Sequence, residues 1–274
     1  MKTQRGPQRT HTVSITSGKG GVGKTLLTSN LAWALAQQGR RVLILDGDLG
    51  LANVDLFFNV KAKGHLLDLL HENKTVDEIV TPLAPRIDLI SGGSGFVEMT
   101  RLTVFERRSL VESVMGLEYQ YDDILIDTSS GIADNVLYLN AAADQILVVI
   151  TPDPASLTDS YALIKLLNQI HKENRFSIVC NQVPSEAEGI ALFTRFTDAV
   201  TRFLSVGLDY WGCVPQDPLL RKATQMQRLI LRQDPSNPAS RSLQMISQNL
   251  QSARDQNTTL ESAPLFWEQV MGVA

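Results

Sequence analysis

The sequence predicts an α/β protein: a doubly wound, mostly parallel sheet with helices on both faces. Three observations predict it. A strand, a glycine-rich loop, a helix and a second strand follow one another within about 35 residues, which is one βαβ unit. Short, almost purely apolar runs such as RVLIL (41–45), ILID (124–127) and QILVVI (145–150) read as strands covered on both faces. Helical stretches alternate with those runs along the chain.

The elements run in the following order. Residues 12–16 (TVSIT) form a first strand, and 26–38 form a helix with Leu27, Leu31, Ala32 and Leu35 at helical spacing, ended by Gly39. Residues 41–45 are the next strand. Residues 86–91 (RIDLIS) are another, followed by a turn at Gly92, Gly93 and Gly95 and a helix over 104–117. Strands at 124–127 and 145–150 are followed by a helix over 156–171, a strand at 177–180, a helix over 188–204 and a strand at 210–214. The expectation is about seven short strands. The run DPSNP (234–238) breaks the chain before a last helix near 239–253, and residues 254–264 are polar enough to be a linker. The division expected is a flexible N-terminus over 1–11, one domain over 12–253, and a linker with an amphipathic tail over 254–274. At 274 residues and 43% hydrophobic, the chain is long enough for one sizeable core.

Composition narrows the function. The net charge of −4 argues against a bulk nucleic-acid binder, so no direct nucleic-acid contact is expected. Cys180 and Cys213 lie far apart inside apolar runs and have neither metal-ligand nor disulfide-framework spacing. Residues 1–10 are polar and basic and lack a signal peptide's apolar stretch, and no run approaches a membrane span. A cytoplasmic protein is expected, with any membrane contact peripheral.

The chemistry starts at residues 18–25. Gly18, Lys19, Gly20, Gly21, Val22, Gly23, Lys24 and Thr25 match G-x-x-x-x-G-K-[ST], with a strand before and a helix beginning at Leu26. Glycines let successive backbone N–H groups face one anion, and the helix start adds its positive end. Lys24 is placed to reach the β and γ phosphates, and the Thr25 hydroxyl to ligate magnesium. Strand 41–45 delivers Asp46 and Asp48 at its carboxyl end, where ligands sit in open α/β sheets. Two apart on an extended segment, they share a side. One can hold the magnesium shell while the other orients an attacking water. ILID ends in Asp127, the Walker B pattern of a buried strand closing on an acid.

Lys19 makes the loop K-G-G-x-G-K-T. This resembles the deviant Walker A motif of the MinD/ParA class of P-loop NTPases, in which the extra lysine reaches the partner's phosphates across a dimer. The resemblance implies an ATP-dependent homodimer with ATP or ADP and Mg²⁺ as ligands, and slow hydrolysis used as a switch. It gives Asp46 the place near the metal and Asp48 the role in hydrolysis. Thr128, Ser129, Ser130 and Gly131 resemble the second switch around the γ-phosphate, and Asn181 resembles the asparagine that reads the adenine edge. Pro215 and Asp217 resemble a P-x-D segment flanking the base, and Asp153 is expected to touch ribose across the dimer. The catalytic set is then Lys19, Asp48 and Asp127; the metal set is Thr25, Asp46 and Asp127.

Within the class, DLGLANVD (48–55), TDSYALIKLL (158–167) and Arg221-Lys222-Ala223 look like the flagellar-number regulators FlhG/FleN. Cluster-carrying members need cysteines after Walker B, and carriers of tail-anchored proteins need a large methionine-rich insertion; neither is here. Residues 1–11 contain no D-Q-A-x-x-L-R segment, which favours the FleN-like branch. That resemblance implies restraint of a FleQ-like AAA+ flagellar transcription activator, with the GTPase FlhF as a second partner. A ParA-type partitioning ATPase and a MinD-type division-site regulator are the alternatives. In the tail, Pro264 suits a helix start, and Phe266, Val270 and Val273 share a side with Trp267 and Met271 beside them. Residues 264–274 resemble a peripheral membrane-targeting helix; packing on the chain's own domain is the other reading.

Overall fold

A computed structural model describes residues 10–48, 54–72, 74–92, 103–114, 117, 120–257, 266 and 269. Among them, one eight-stranded sheet runs through the molecule in the order β3-β4-β2-β5-β1-β6-β7-β8. Its strands are β1 (His11–Thr16), β2 (Val42–Gly47), β3 (Thr81–Ala84), β4 (Ile87–Ser91), β5 (Asp123–Thr128), β6 (Gln145–Ile150), β7 (Arg175–Val183) and β8 (Gly207–Pro215). All neighbours are parallel except β3 and β4.

The helices are α1 (Lys24–Gln37), α2 (Val54–Phe58), α3 (Asp68–His71), α4 (Val76–Ile79), α5 (Val104–Val114), α6 (Asp134–Ala141), α7 (Pro154–His171), α8 (Glu186–Thr201), α9 (Pro218–Gln225), α10 (Ile230–Gln233) and α11 (Pro238–Asn257). Strand alternation sends side chains to two faces. Val13, Ile15, Val42, Ile44, Leu125 and Val149 pack with Leu27, Leu31 and Leu35 of α1 and with Leu243 and Ile246 of α11. On the opposite face, Leu43, Leu45, Ile124 and Ile126 meet Leu110 and Val111 of α5, while Ile146, Val148 and Ile178 meet Leu163, Leu167 and Leu192. The first helix is buried nearly all round because sheet and α11 enclose it, and its Leu- and Ala-rich sequence supports a helix by intrinsic preference.

The doubly wound architecture is as expected, with four differences. The sheet has an eighth strand, β3, whose four residues include Pro82. Proline removes a ladder donor, so such a segment reads as loop, and it survives here as an antiparallel edge. Thr10 and His11 are buried, with His11 opening β1, so the ordered domain starts inside the span expected to be flexible. The last helix continues to Asn257, into the stretch expected to be linker, because nothing in residues 254–257 breaks a helix. Strand β7 runs on past Cys180 to Val183, which puts Asn181 inside the sheet. The turn residues Gly93 and Gly95, and most of the DLGLANVD stretch, lie outside the described residues.

Candidate nucleotide-binding site

The site lies at the carboxyl ends of β1, β2 and β5, where the chain order switches direction across the sheet. Loop 17–23 leaves β1 and opens α1. Gly21 (φ 78°) and Gly23 (φ 97°) take left-handed conformations that an L side chain rarely adopts. Gly18 has a different reason: a side chain there would collide with the backbone of Asp159 and Ser160 on α7.

Lys24, the first residue of α1, is buried, and its Nζ donates to Ser17 Oγ at 3.1 Å. Burial pulls its pKa down, while Asp127 and then Asp48 oppose the shift. Thr25 hydrogen-bonds the Asp127 carboxylate, which also accepts from Thr28 Oγ1 at 3.3 Å. The β2–β5 ladder pairs Asp46 directly with Asp127. One Asp46 oxygen accepts from the Asp48 backbone N–H at 3.1 Å; the other, Oδ2, is buried and has no hydrogen-bond partner among the described residues.

That orphaned oxygen is the test of whether magnesium fits. Buried polar atoms are normally satisfied, and an acceptor-only oxygen beside a second carboxylate and a threonine hydroxyl suits a hard dication or its water. Among the described residues no three His, Cys, Asp or Glu side chains form a self-contained metal cage. Magnesium usually takes one or two carboxylates and completes its shell with phosphate and water. When bound, magnesium neutralises charge on the phosphate oxygens.

Both acids are held protonated more readily than usual. Burial, then the Asp127 charge, pushes Asp46 up to about 7. Burial also pushes Asp127 up to about 6, with hydrogen bonding from Thr25 and the charge of Lys24 opposing it. A dication requires the carboxylates, so it must displace these protons. Magnesium-dependent nucleotide affinity should therefore fall as pH drops from 8 to 6, measured by fluorescent-nucleotide titration, by up to about tenfold per pH unit for each proton displaced. The sign for stability follows. The native protein binds more protons than the unfolded chain between about pH 4 and 7, so these groups make the nucleotide-free fold less stable as pH rises through that window.

The segment that leaves β5 is tied to the end of β1 and to the loop that follows it. Gly131 N–H donates to Ser17 O at 3.0 Å, and Thr128 Oγ1 donates to Ile15 O at 3.1 Å. Lys19 forms an ion pair with Asp153, which also caps α7 by accepting from Ala155 N–H at 2.9 Å. The lysine's hydrogen bond is the main reason the Asp153 carboxyl sits below its usual range. Any reach of Lys19 toward another chain must first break this pair.

The residues expected at the site divide into two groups. Residues 18–25, Leu26, Asp46, Asp48 and Asp127 come together. Asn181 joins them from β7, its Nδ2 donating to Val22 O at 2.7 Å. Asp217 is occupied structurally: one oxygen caps α9 at Leu220 N–H (2.8 Å) and the other accepts from Asn237 Nδ2 (3.1 Å). Pro215 closes β8 beside Val183. Sequence reasoning missed Ser17 and Thr28. Thr28 sits three positions after Thr25, so the two hydroxyls share a helix face, and that spacing was an available signal.

With this geometry in view, the comparisons agree on the family. The ParA family profile, described as NUBPL iron-transfer P-loop NTPase, matches residues 8–251. The chain belongs to the ParA/MinD family of P-loop NTPases, and like the family it is an ATP-hydrolysing enzyme. It is 36% identical over 252 residues to the antiactivator FleN of Pseudomonas aeruginosa, covering 92% of this chain and 90% of that protein. It is 34% identical to the flagellum site-determining protein YlxH of Helicobacter pylori, covering 86% and 80%. The MinD cell division protein of Aquifex aeolicus superposes with a TM-score of 0.70 at 25% identity, covering 93% of this chain and 99% of that one. The Pyrococcus horikoshii MinD complexed with Mg-ADP has the same fold, with a TM-score of 0.69 at 23% identity over 89% and 97%. The flagellum-related and division-related relatives confirm the broad reading made from the loop and from the stretches around it.

Proposed function

We propose that this chain is an ATP-controlled regulator of flagellar number or placement. ATP and magnesium bind at residues 18–25 with Asp46 and Asp127. The γ-phosphate draws two copies together through Lys19, and hydrolysis directed by Asp48 parts them. The observation that supports this best is the meeting of Lys24, Thr25, Asp46 and Asp127 at one end of the sheet in a chain similar over most of its length to FleN and YlxH. A switch needs a ligand that contacts its two states differently, and a γ-phosphate present in ATP and absent from ADP is such a ligand. The partner expected is an AAA+ flagellar transcription activator of the FleQ type, with FlhF as the second. Pull-down with an ATP-locked variant tests this. Recovery of either protein in a nucleotide-dependent way supports the proposal, and recovery of neither in any nucleotide state overturns the flagellar assignment.

The tail bears on the cycle. Phe266 is helical and 1% exposed, packed in the cluster that holds Leu43, Leu45, Leu110 and Ile126. The rest of the proposed membrane helix lies outside the described residues, apart from Gln269. Burial of a phenylalanine contributes about 1.5–3 kcal/mol, enough to keep a short segment docked and small enough for ligand binding to reverse. We propose that the segment is docked without ATP and released to the membrane surface in the ATP dimer, where two weak anchors add through effective concentration. Liposome sedimentation should rise with a non-hydrolysable ATP analogue and fall when Phe266 and Trp267 are both replaced by Glu. If wild type stays in the supernatant with every nucleotide, the docked segment is permanent.

A further inference from the structure

The side chain expected to read the base is already engaged elsewhere. Asn181 lies near the end of β7 and is 4% exposed. The β7–β8 register slips between Asn181 and Val183, and Gln182 takes a left-handed φ of 57°. A bulge of this kind re-aims the neighbouring side chain. Here it fixes the amide at both ends: Oδ1 accepts from the Gln182 N–H at 2.8 Å, and Nδ2 donates to Val22 O at 2.7 Å. The amide orientation is forced, since a flip would set oxygen against the Val22 carbonyl and NH₂ against the Gln182 N–H. Gly23 completes the fit, because a side chain at that position would collide with Asn181 Nδ2.

We propose that Asn181 is a positioning residue for the phosphate loop. It clamps the Val22 carbonyl so that the following turn, Gly23 and Lys24, is set before nucleotide arrives. The inference rests on the phosphate-binding role of residues 18–25 and stands independently of base reading. An adenine edge would have to use the remaining N–H and lone pair of the same amide, so one side chain would serve both ends of the nucleotide.

The probe is inorganic tripolyphosphate, which has phosphates and no base, titrated in EDTA by calorimetry. Asn181→Asp is nearly isosteric and sets an acceptor against the Val22 carbonyl; Asn181→Ala removes the clamp. Both should weaken tripolyphosphate binding by about tenfold, the scale of one buried hydrogen bond left unmade. For Asn181→Asp the deficit relative to wild type should narrow as pH is lowered from 8 to 5, because a protonated carboxyl regains a donor. A role in general stability alone would lower the melting temperature without that recovery. Tripolyphosphate affinity within twofold of wild type in folded variants would overturn the proposal. Base reading is judged separately: an unchanged ATP-over-GTP preference in both variants would remove Asn181 from adenine recognition and leave the clamp intact. Should neither variant fold, NMR of the nucleotide-free wild type decides. A slowly exchanging, strongly shifted Asn181 side-chain amide proton supports the clamp, and a rapidly exchanging one overturns it.

Discussion

Lys24→Ala should weaken nucleotide binding by about one to nearly four orders of magnitude, whereas Lys19→Ala should retain binding and lose the ATP-induced dimerisation proposed above. The contrast comes from where the two ammonium groups sit. Lys24 is buried at the start of α1 with its Nζ on Ser17 Oγ, between the phosphate loop and Asp127. Its removal leaves the phosphates without their point charge in a site of low dielectric, a loss of about 2–5 kcal/mol, or roughly 30- to 5000-fold in affinity. Lys19 is turned away from that centre and paired with Asp153 on the exposed side. Its removal breaks that pair and leaves the contact of Lys24 with Ser17 in place. Fluorescent-nucleotide titration and size-exclusion chromatography with ATP read the two effects separately. A Lys19→Ala variant that dimerises as wild type does would mean the lysine acts within its own chain.

Asp48→Ala should bind magnesium nucleotide and hydrolyse it about 10²–10⁴-fold more slowly, the range expected when a group that orients or deprotonates the nucleophile is lost. Asp48 lies two residues beyond Asp46, outside the buried end of β2, with its N–H donated to Asp46 Oδ1. It is close enough to influence Lys24 and Asp127 through its charge. A residue working mainly in the transition state changes kcat and leaves ground-state binding nearly intact. Phosphate-release kinetics at saturating ATP check this, and wild-type turnover would remove Asp48 from the reaction. Asp46→Asn should behave differently: it should weaken magnesium dependence and, at pH 8, raise the melting temperature of the nucleotide-free protein by relieving a buried charge.

Much of the site was legible because its chemistry constrains the backbone. A loop that wraps phosphate needs left-handed turns, so Gly21 and Gly23 stand at fixed offsets from Lys24 and leave a pattern in the letters. Buried parallel strands likewise leave runs such as ILID, whose end marked Asp127. What stayed hidden depends on contacts between segments far apart in sequence. Nothing near Asn181 tells that its amide meets Val22, 159 positions away. Asp217 looked like part of a nucleotide motif, but its partner Asn237 arrives from a distant turn. Asp153 was expected to meet ribose, and its bond to Lys19 depends on α7 starting beside the loop. Phe266 belongs to an amphipathic stretch, and that pattern is the same whether the apolar side meets lipid or protein. Strand β3 was masked by Pro82, and the short helices α2 to α4 are too brief for a helical period to register.

The pairing of Asp46 with Asp127 across adjacent strands has a mechanical corollary. The backbones that carry the two carboxylates are hydrogen-bonded neighbours and keep the ladder's strand spacing of about 4.8 Å. The metal-facing half is therefore an anvil that a nucleotide cycle cannot deform without unzipping the centre of the sheet. Any movement that follows nucleotide exchange would fall to the exits from those strands, beginning at Asp48 on one and at Gly131, tethered to Ser17, on the other. Stiffening those exits while leaving the strands untouched is the route to a protein that still grips nucleotide but no longer signals which one it holds.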